Sequence, residues 1–167
     1  MIEMRGNVDT RLRKLEAGQY DAVVLAASGL IRLGLKDRIT ELLHFDLMLP
    51  EPGQGALAIQ ARLGDVAVRQ LVEPLNDSGA RRCVEAERAF LGHLGGGCRV
   101  PIAAYANVEA ETLTLHGAVI AADGSRLLRG REHGAVADGE LLAQRLAEAL
   151  IGQGALELLK AIPITGL

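Results

Sequence analysis

The chain has 167 residues, 49% of them apolar but only 2% aromatic, and no Trp. That length carries one ordinary domain or two small ones, and the core has to be aliphatic. Net charge is −3, and few rings are available to stack on bases, so composition argues against a nucleic-acid binder. Of 18 basic residues only Lys14, Lys36 and Lys160 are lysine, and the rest are arginine, the side chain whose fork grips carboxylates in pairs. No apolar run reaches the roughly 18 residues that cross a bilayer, and no leader-like segment opens the chain. Two cysteines, Cys83 and Cys98, do not make a disulfide framework. The expectation is a cytoplasmic protein without a membrane or nucleic-acid partner.

In chain order, Asn7 or Asp9 caps a helix from Thr10 to Ala17 that stops at Gly18. Ala22-Val23-Val24-Leu25-Ala26 is short, apolar and β-branched, which suits a strand buried on both faces. A short helix from Ala27 to Leu33 follows. Helix, buried strand and helix make a fragment of an α/β layer, with fewer strands than such a layer needs. Residues 35–48 connect onward. Leu47 to Gly55, with two prolines and two glycines, is a candidate domain boundary. Ala56 to Ala61 is another apolar strand, and Asp65 to Leu75 a short helix closed by Pro74.

Asp77 or Ser78 caps a helix to about Leu94. Three strands then separate at turn signals: Ile102 to Val108, Leu113 to Ala121 and Leu127 to His133. An amphipathic helix from Gly139 to Gly152 carries Leu142, Leu146, Ala149 and Leu150 on one stripe. A last helix runs from Gly154 to Ile162. Residues 77–167 therefore read as a closed α+β unit, one antiparallel sheet with helices on one face.

Leu94-Gly95-Gly96-Gly97-Cys98-Arg99-Val100-Pro101 presents a cysteine on a glycine loop between helix and strand. A Cys in such a turn is commonly a small packed residue. A metal site would need more ligands than His93 and Cys83 supply at their spacings. An acyl-transfer thiol would need a legible His base, and His93, His116 and His133 form no visible arrangement with it. A covalent anchor needs only an accessible thiol whose pKa is lowered, here by loop N–H groups and Arg99. Arg5, Arg11 and Arg32 lie at helix starts and after an apolar run, where open α/β layers bind anions. His44 and Asp46 form no catalytic arrangement. Glu85, Glu87 and Arg88 read as surface pairs and a helix-to-loop clamp. Cys83 reads as packed core.

Several pieces together resemble one family. They are Arg5-Gly6-Asn7-Val8-Asp9-Thr10-Arg11-Leu12, Tyr20 to Ala26 with Gly29-Leu30 and Arg32-Leu33-Gly34, Leu49-Pro50, Gly53-Gln54-Gly55-Ala56, and Glu87-Arg88-Ala89-Phe90-Leu91 leading to Gly96-Gly97-Cys98-Arg99-Val100-Pro101. In order and separation they resemble the C-terminal part of hydroxymethylbilane synthases, the porphobilinogen deaminases of haem and porphyrin biosynthesis. The resemblance implies a transferase that condenses four porphobilinogen units head to tail, with loss of ammonia, into a linear tetrapyrrole. It implies a dipyrromethane cofactor held on Cys98 through a thioether. Arg5, Arg11 and Arg32 match cofactor- and substrate-binding arginines, and Gln54 matches a residue lining the same cleft. It implies a partial periplasmic-binding-protein-like α/β layer in residues 1–48, the latter part of domain two. Residues 49–76 would return to domain one, and 77–167 would be the cofactor-anchoring domain three.

Family members are about twice as long. The resemblance places the aspartate that assists proton transfer in the half not matched here, so no catalytic residue is assigned. The chain alone is expected to be inactive, the alternative being a non-catalytic anion-binding or scaffold fragment. The family is monomeric, whereas the uncovered run Ala22 to Ala26 predicts self-association of this chain.

Overall fold

The computed structural model describes residues 2, 4–96 and 100–160. Cys98 and its neighbours Gly97 and Arg99 lie outside the described residues, as does the end of the predicted last helix. The chain forms two compact units, Met1–His44 and Phe45–Leu167.

In the first unit, α1 (Val8–Glu16) starts at Asn7, whose side chain accepts from the Thr10 amide at 2.9 Å. This satisfies one of the free donors of the first turn. Its one buried residue is Leu12. The second helix, α2 (Ala27–Arg32), buries Leu30, and its Gly29 Cα faces Val8 of α1. A short 3₁₀ turn, Lys36–Arg38, follows, and Arg38 pairs with Glu16 at 2.6 Å.

Two sequence expectations are corrected here. Neither residues 22–26 nor residues 56–61 form a strand. A strand exists only as part of a ladder, and among the described residues these runs have no strand beside them to accept and donate the backbone bonds. Several of their apolar side chains stay in solvent: Val24 is 59% exposed and Leu57 85%. Composition marked them as strands because it records the tendency to be buried in a sheet, not the presence of the neighbour.

The second unit contains the helices α3 (Val66–Val72), α4 (Ser78–His93), α5 (Gly139–Gly152) and α6 (Ala155–Lys160). It also holds the strands β1 (Ile102–Glu109), β2 (Thr112–Ile120) and β3 (Leu127–Ala135). The helix α3 is capped by Asp65 and runs into a 3₁₀ turn at Glu73–Leu75, where Pro74 ends it. Asp77 caps α4 by accepting from the Ala80 amide at 2.8 Å. The strands form an antiparallel meander in the order β1-β2-β3. Glu109 pairs with Thr112 across the first turn, and Ile120 with Leu127 across the second. The second turn is stiffened by Asp123, which accepts from the Ser125 amide and hydroxyl.

Alternation along the strands splits the sheet into two faces. One face sends Ile102, Ala104, Ala106, Leu113, Leu115, Val119 and Leu128 into the main core, where they meet Phe90 of α4 and Leu142, Leu146 and Leu150 of α5. Both long helices thus cover the same face, as the sequence pattern predicts. Gly117 of β2 is needed for their approach: a Cβ there would lie 2.5 Å from Phe90 Cζ and 2.9 Å from Leu146 Cδ2.

The opposite face carries a different cover. Leu49 packs on Ala103 and Ala118. Phe45 stacks on Tyr105, ring centroids 3.8 Å apart. The Arg129 guanidinium donates to the carbonyls of Phe45 and Asp46. The stretch Leu47 to Gly55 reads as a linker from its two prolines and two glycines, but Leu49 and Pro50 within it, with Phe45 and Asp46 before it, are laid along the sheet. No described helix is long and apolar enough to cross a membrane.

Candidate functional site

The glycine loop hangs from two fixed ends. Helix α4 closes with Leu94 buried, and Gly95 takes φ +68°, the left-handed exit that glycine adopts without strain. The Gly96 amide donates to the Leu91 carbonyl at 3.0 Å. A Cβ on Gly96 would lie 2.5 Å from Leu91 Cδ1 and 2.8 Å from Ile102 Cδ1. The loop entry is therefore pressed between the end of α4 and the start of β1. On the far side, Val100 packs against the main core and β1 begins at Ile102. Cys98 lies within this loop, outside the described residues.

Cys83 is the other thiol. It sits half-buried on α4 against the core, as read from the sequence. Burial, and then the nearby Glu87 and Asp77 carboxylates, push its pKa up, which keeps it a neutral and unreactive thiol.

The predicted arginines lie in the first unit. Arg11, in the first turns of α1, donates from Nε to the Gly6 carbonyl at 2.8 Å. Lys14 Nζ donates to the Arg5 carbonyl at 3.2 Å. Arg5 and Arg11 are thus tied to one stretch at the start of α1. Arg32 ends α2, the helix whose Gly29 meets Val8, and its exposed guanidinium has no ion pair among the described residues.

Gln54 lies in the second unit, exposed, between Gly53 (φ +76°) and Gly55 (φ +90°). Both flanking residues adopt a conformation that disfavours any other side chain. The turn is closed by Gln54 N to Glu51 O at 3.0 Å and Ala56 N to Gly53 O at 3.2 Å.

Glu87 holds this turn. It is the one buried charged residue among those described, 6% exposed. One carboxylate oxygen accepts from the Gly53 amide and the other from the Ala106 amide, both at 2.7 Å. Burial raises its pKa, and the two amide donors oppose that shift. The clamp half of the sequence reading of Glu85, Glu87 and Arg88 applies to Glu87. Its signal is periodicity: position 87 falls on the inward stripe with Cys83, Phe90 and Leu94. Glu85 is a surface partner of Arg81 at 2.8 Å and Arg82 at 3.4 Å.

Two other features went unread. Arg129 straps residues 45–46 to the sheet, and no local pattern separates it from Arg126 or Arg131. His93 pairs with Glu140 at 2.9 Å across α4 and α5, beside a cleft lined by Arg82, Arg88 and Val136. That cleft contains none of the predicted site residues. Among the described residues, no group of three or more His, Cys, Asp or Glu is placed to hold a metal ion.

Comparison with known proteins covers both units. Residues 1–70 match the family model described as porphobilinogen deaminase, dipyrromethane cofactor binding domain. Residues 81–152 match porphobilinogen deaminase, C-terminal domain. The chain is 52% identical to a porphobilinogen deaminase of Roseiflexus castenholzii over 159 residues, which is 95% of this chain and 52% of that protein. It is 47% identical to one of Syntrophotalea carbinolica over 99% of this chain, and 48% identical to one of Thiobacillus denitrificans over 96%. In each case the match takes in 52% of the relative. The chain spans about half the length of the curated relatives it matches.

Proposed function

The chain belongs to the porphobilinogen deaminase family, and on that premise we propose that it supplies the cofactor-anchoring and carboxylate-binding part of a hydroxymethylbilane synthase. The observation that carries this reading is the pair of family matches in sequence order, one over the arginine-bearing unit and one over the loop that contains Cys98. In this reading a Cys98 thiolate holds a dipyrromethane through a thioether, a bond that a soft sulfur forms readily with carbon. When bound, that group supplies the pyrrole carbon on which the chain grows.

Arg5, Arg11 and Arg32 bind the acetate and propionate groups that each added pyrrole brings. Their donor chemistry fits such a ligand: planar guanidinium forks pair with carboxylates bidentately. The exposed Arg32 supports the fit. Gln54 adds neutral donors and an acceptor without further charge. No residue of this chain is assigned the proton transfers.

Residues 1–48 are, in this proposal, the latter part of a periplasmic-binding-protein-like domain two. Residues 49–76 cross into domain one, and 77–167 form domain three. The apolar and unpaired stretches at 22–26 and 56–75 support it, since each has the composition of an element made to be covered. A free thiol ready for alkylation fits a reducing, cytoplasmic setting. Nothing in the composition favours a nucleic-acid partner, and porphobilinogen is the proposed substrate.

The test is a chimera in which these 167 residues replace the matching half of the Roseiflexus castenholzii relative. It is expected to convert porphobilinogen to a linear tetrapyrrole and to carry a covalent adduct on Cys98 by intact mass. Cys98→Ala abolishes both. The 167-residue chain alone is expected to give no product. An inactive chimera, or one active without Cys98, would overturn the assignment. Turnover by the chain alone would overturn the division of labour.

A further inference from the structure

Strand β1 is an edge strand, so some of its backbone donors point away from the sheet. A buried donor without an acceptor is costly, and each must be satisfied. The Ala104 amide is satisfied by the Pro50 carbonyl at 3.0 Å. The Ala106 amide, two residues on, is satisfied by Glu87 rather than by backbone. The second oxygen of the same carboxylate takes the Gly53 amide.

Chain 45–53 is therefore fastened to the sheet and α4 of its own unit at successive points: Phe45 on Tyr105, the carbonyls of Phe45 and Asp46 by Arg129, Leu49 on Ala103 and Ala118, Pro50 on Ala104, and Gly53 on Glu87. Glu87 is the last of these fastenings. From Gln54 to Gln60 every residue is exposed.

We propose that Glu87 is the positioning residue of the Gly53-Gln54-Gly55 turn, its two oxygens fixing the turn to the free edge of β1 and so setting where the Gln54 side chain is offered. The step from the turn to the substrate rests on the reading of Gln54 given above; the fastening itself does not. A carboxylate is the side chain that fits, because both of its terminal atoms accept. A glutamine presents one accepting oxygen and an NH2 group that only donates, so in this geometry it can serve only one of the two amides. The Ala106 amide is held rigidly in a strand and retains the acceptor. The turn, with only its own closing bonds, is released.

In the 167-residue chain, Glu87→Gln is expected to raise amide hydrogen exchange at Gly53 at least about tenfold while Ala106, β2 and α5 keep their protection. Unchanged exchange at Gly53, or equal acceleration through β2 and α5, would overturn the proposal, the second because it marks Glu87 as a general support of the core. A wild-type measurement guards against a variant that does not fold. Titrating the Glu87 carboxyl carbon by NMR should move the Gly53 and Ala106 amide protons with one shared midpoint. Cys83, on the same helix, interacts electrostatically with Glu87, and burial pushes its own pKa up from a thiol value well above the carboxyl range. Independent behaviour of Gly53 would overturn the proposal.

In the chimera, Glu87→Gln and Gln54→Ala should each raise the KM for porphobilinogen roughly fivefold, with the adduct on Cys98 retained and the double variant no worse than either single one. Additive losses would show that Glu87 does not act through Gln54. An inactive chimera would count against the functional reading, while the exchange result would still decide the fastening.

Discussion

His116 shows how a single side chain can carry an environment in its titration. It stands on the second face of the sheet, between Tyr105 and Arg131 in register. Burial, then the Arg129 and Arg131 charges, hold its pKa below the ordinary 6.5. A histidine depressed in the folded state favours its neutral form there. Its contribution is present above the ordinary value and is lost as pH falls through the folded one. Glu87 works in the opposite sense: its pKa is raised, so its contribution is present below the ordinary 4.5 and fades as pH rises through the folded value. Urea denaturation at pH 7.5 and 5.5 reads the His116 contribution. His116→Gln should remove the loss on acidification that comes from this side chain and leave the Glu87 part in place. An identical pH response in wild type and variant would show that neither burial nor the neighbouring guanidinium groups shift His116.

At the scale of elements, α4 is where packing and site positioning coincide. Its inward stripe carries Phe90 into the core and Glu87 to the linker, and its end delivers the glycine loop. The helix sits low on the sheet because β2 has no side chain at Gly117. Gly117→Ala would put a methyl into Phe90 and Leu146, and overpacking of this kind typically costs about 1–3 kcal/mol. Thermal denaturation should show that loss, and restoring volume with Phe90→Leu should recover part of it. A Gly117→Ala variant as stable as wild type would mean that the helix can lift without cost. The sequence reading placed α4, the three strands and α5 well, because each carries its own period, cap or turn signal. It failed at 22–26 and 56–61, where the signal was for burial and the ladder partner is not beside the run.

For the molecule as a whole, apolar surface is unevenly covered. The sheet and long helices of the second unit bury a continuous core, whereas Leu57, Leu63 and Leu71 are 85%, 87% and 76% exposed. Helix α3 has no buried residue at all. Large uncovered apolar surface promotes association. Sedimentation velocity should therefore show concentration-dependent self-association of the chain. Replacing Leu57, Leu63 and Leu71 with Lys should weaken it without lowering the melting temperature, since these side chains support no core. A lowered melting temperature would show that they pack in the folded chain after all.

The boundary between what was legible and what was not follows range of interaction. The sequence by itself determined where the helices start, near Asn7, Asp65 and Asp77, with the cap left between Asn7 and Asp9 and between Asp77 and Ser78, together with the strand turns, the apolar stripes, and, through the ordered set of motifs around Arg5, Gly53 and Cys98, the family. Each of these is written in residues close along the chain or in motifs compared one by one. Only the tertiary structure decided that residues 45–53 lie along the sheet and that Arg129 and Glu87 fasten them. Arg129 meets Phe45 and Asp46 from more than 80 residues away, and Glu87 reaches Gly53 across 34. Whether an arginine is a strap or a solvated charge, and a glutamate a staple or a surface partner, depends on which backbone donors and acceptors the fold leaves without partners beside it. That is settled when the edge of β1 meets the linker, and no local pattern records it.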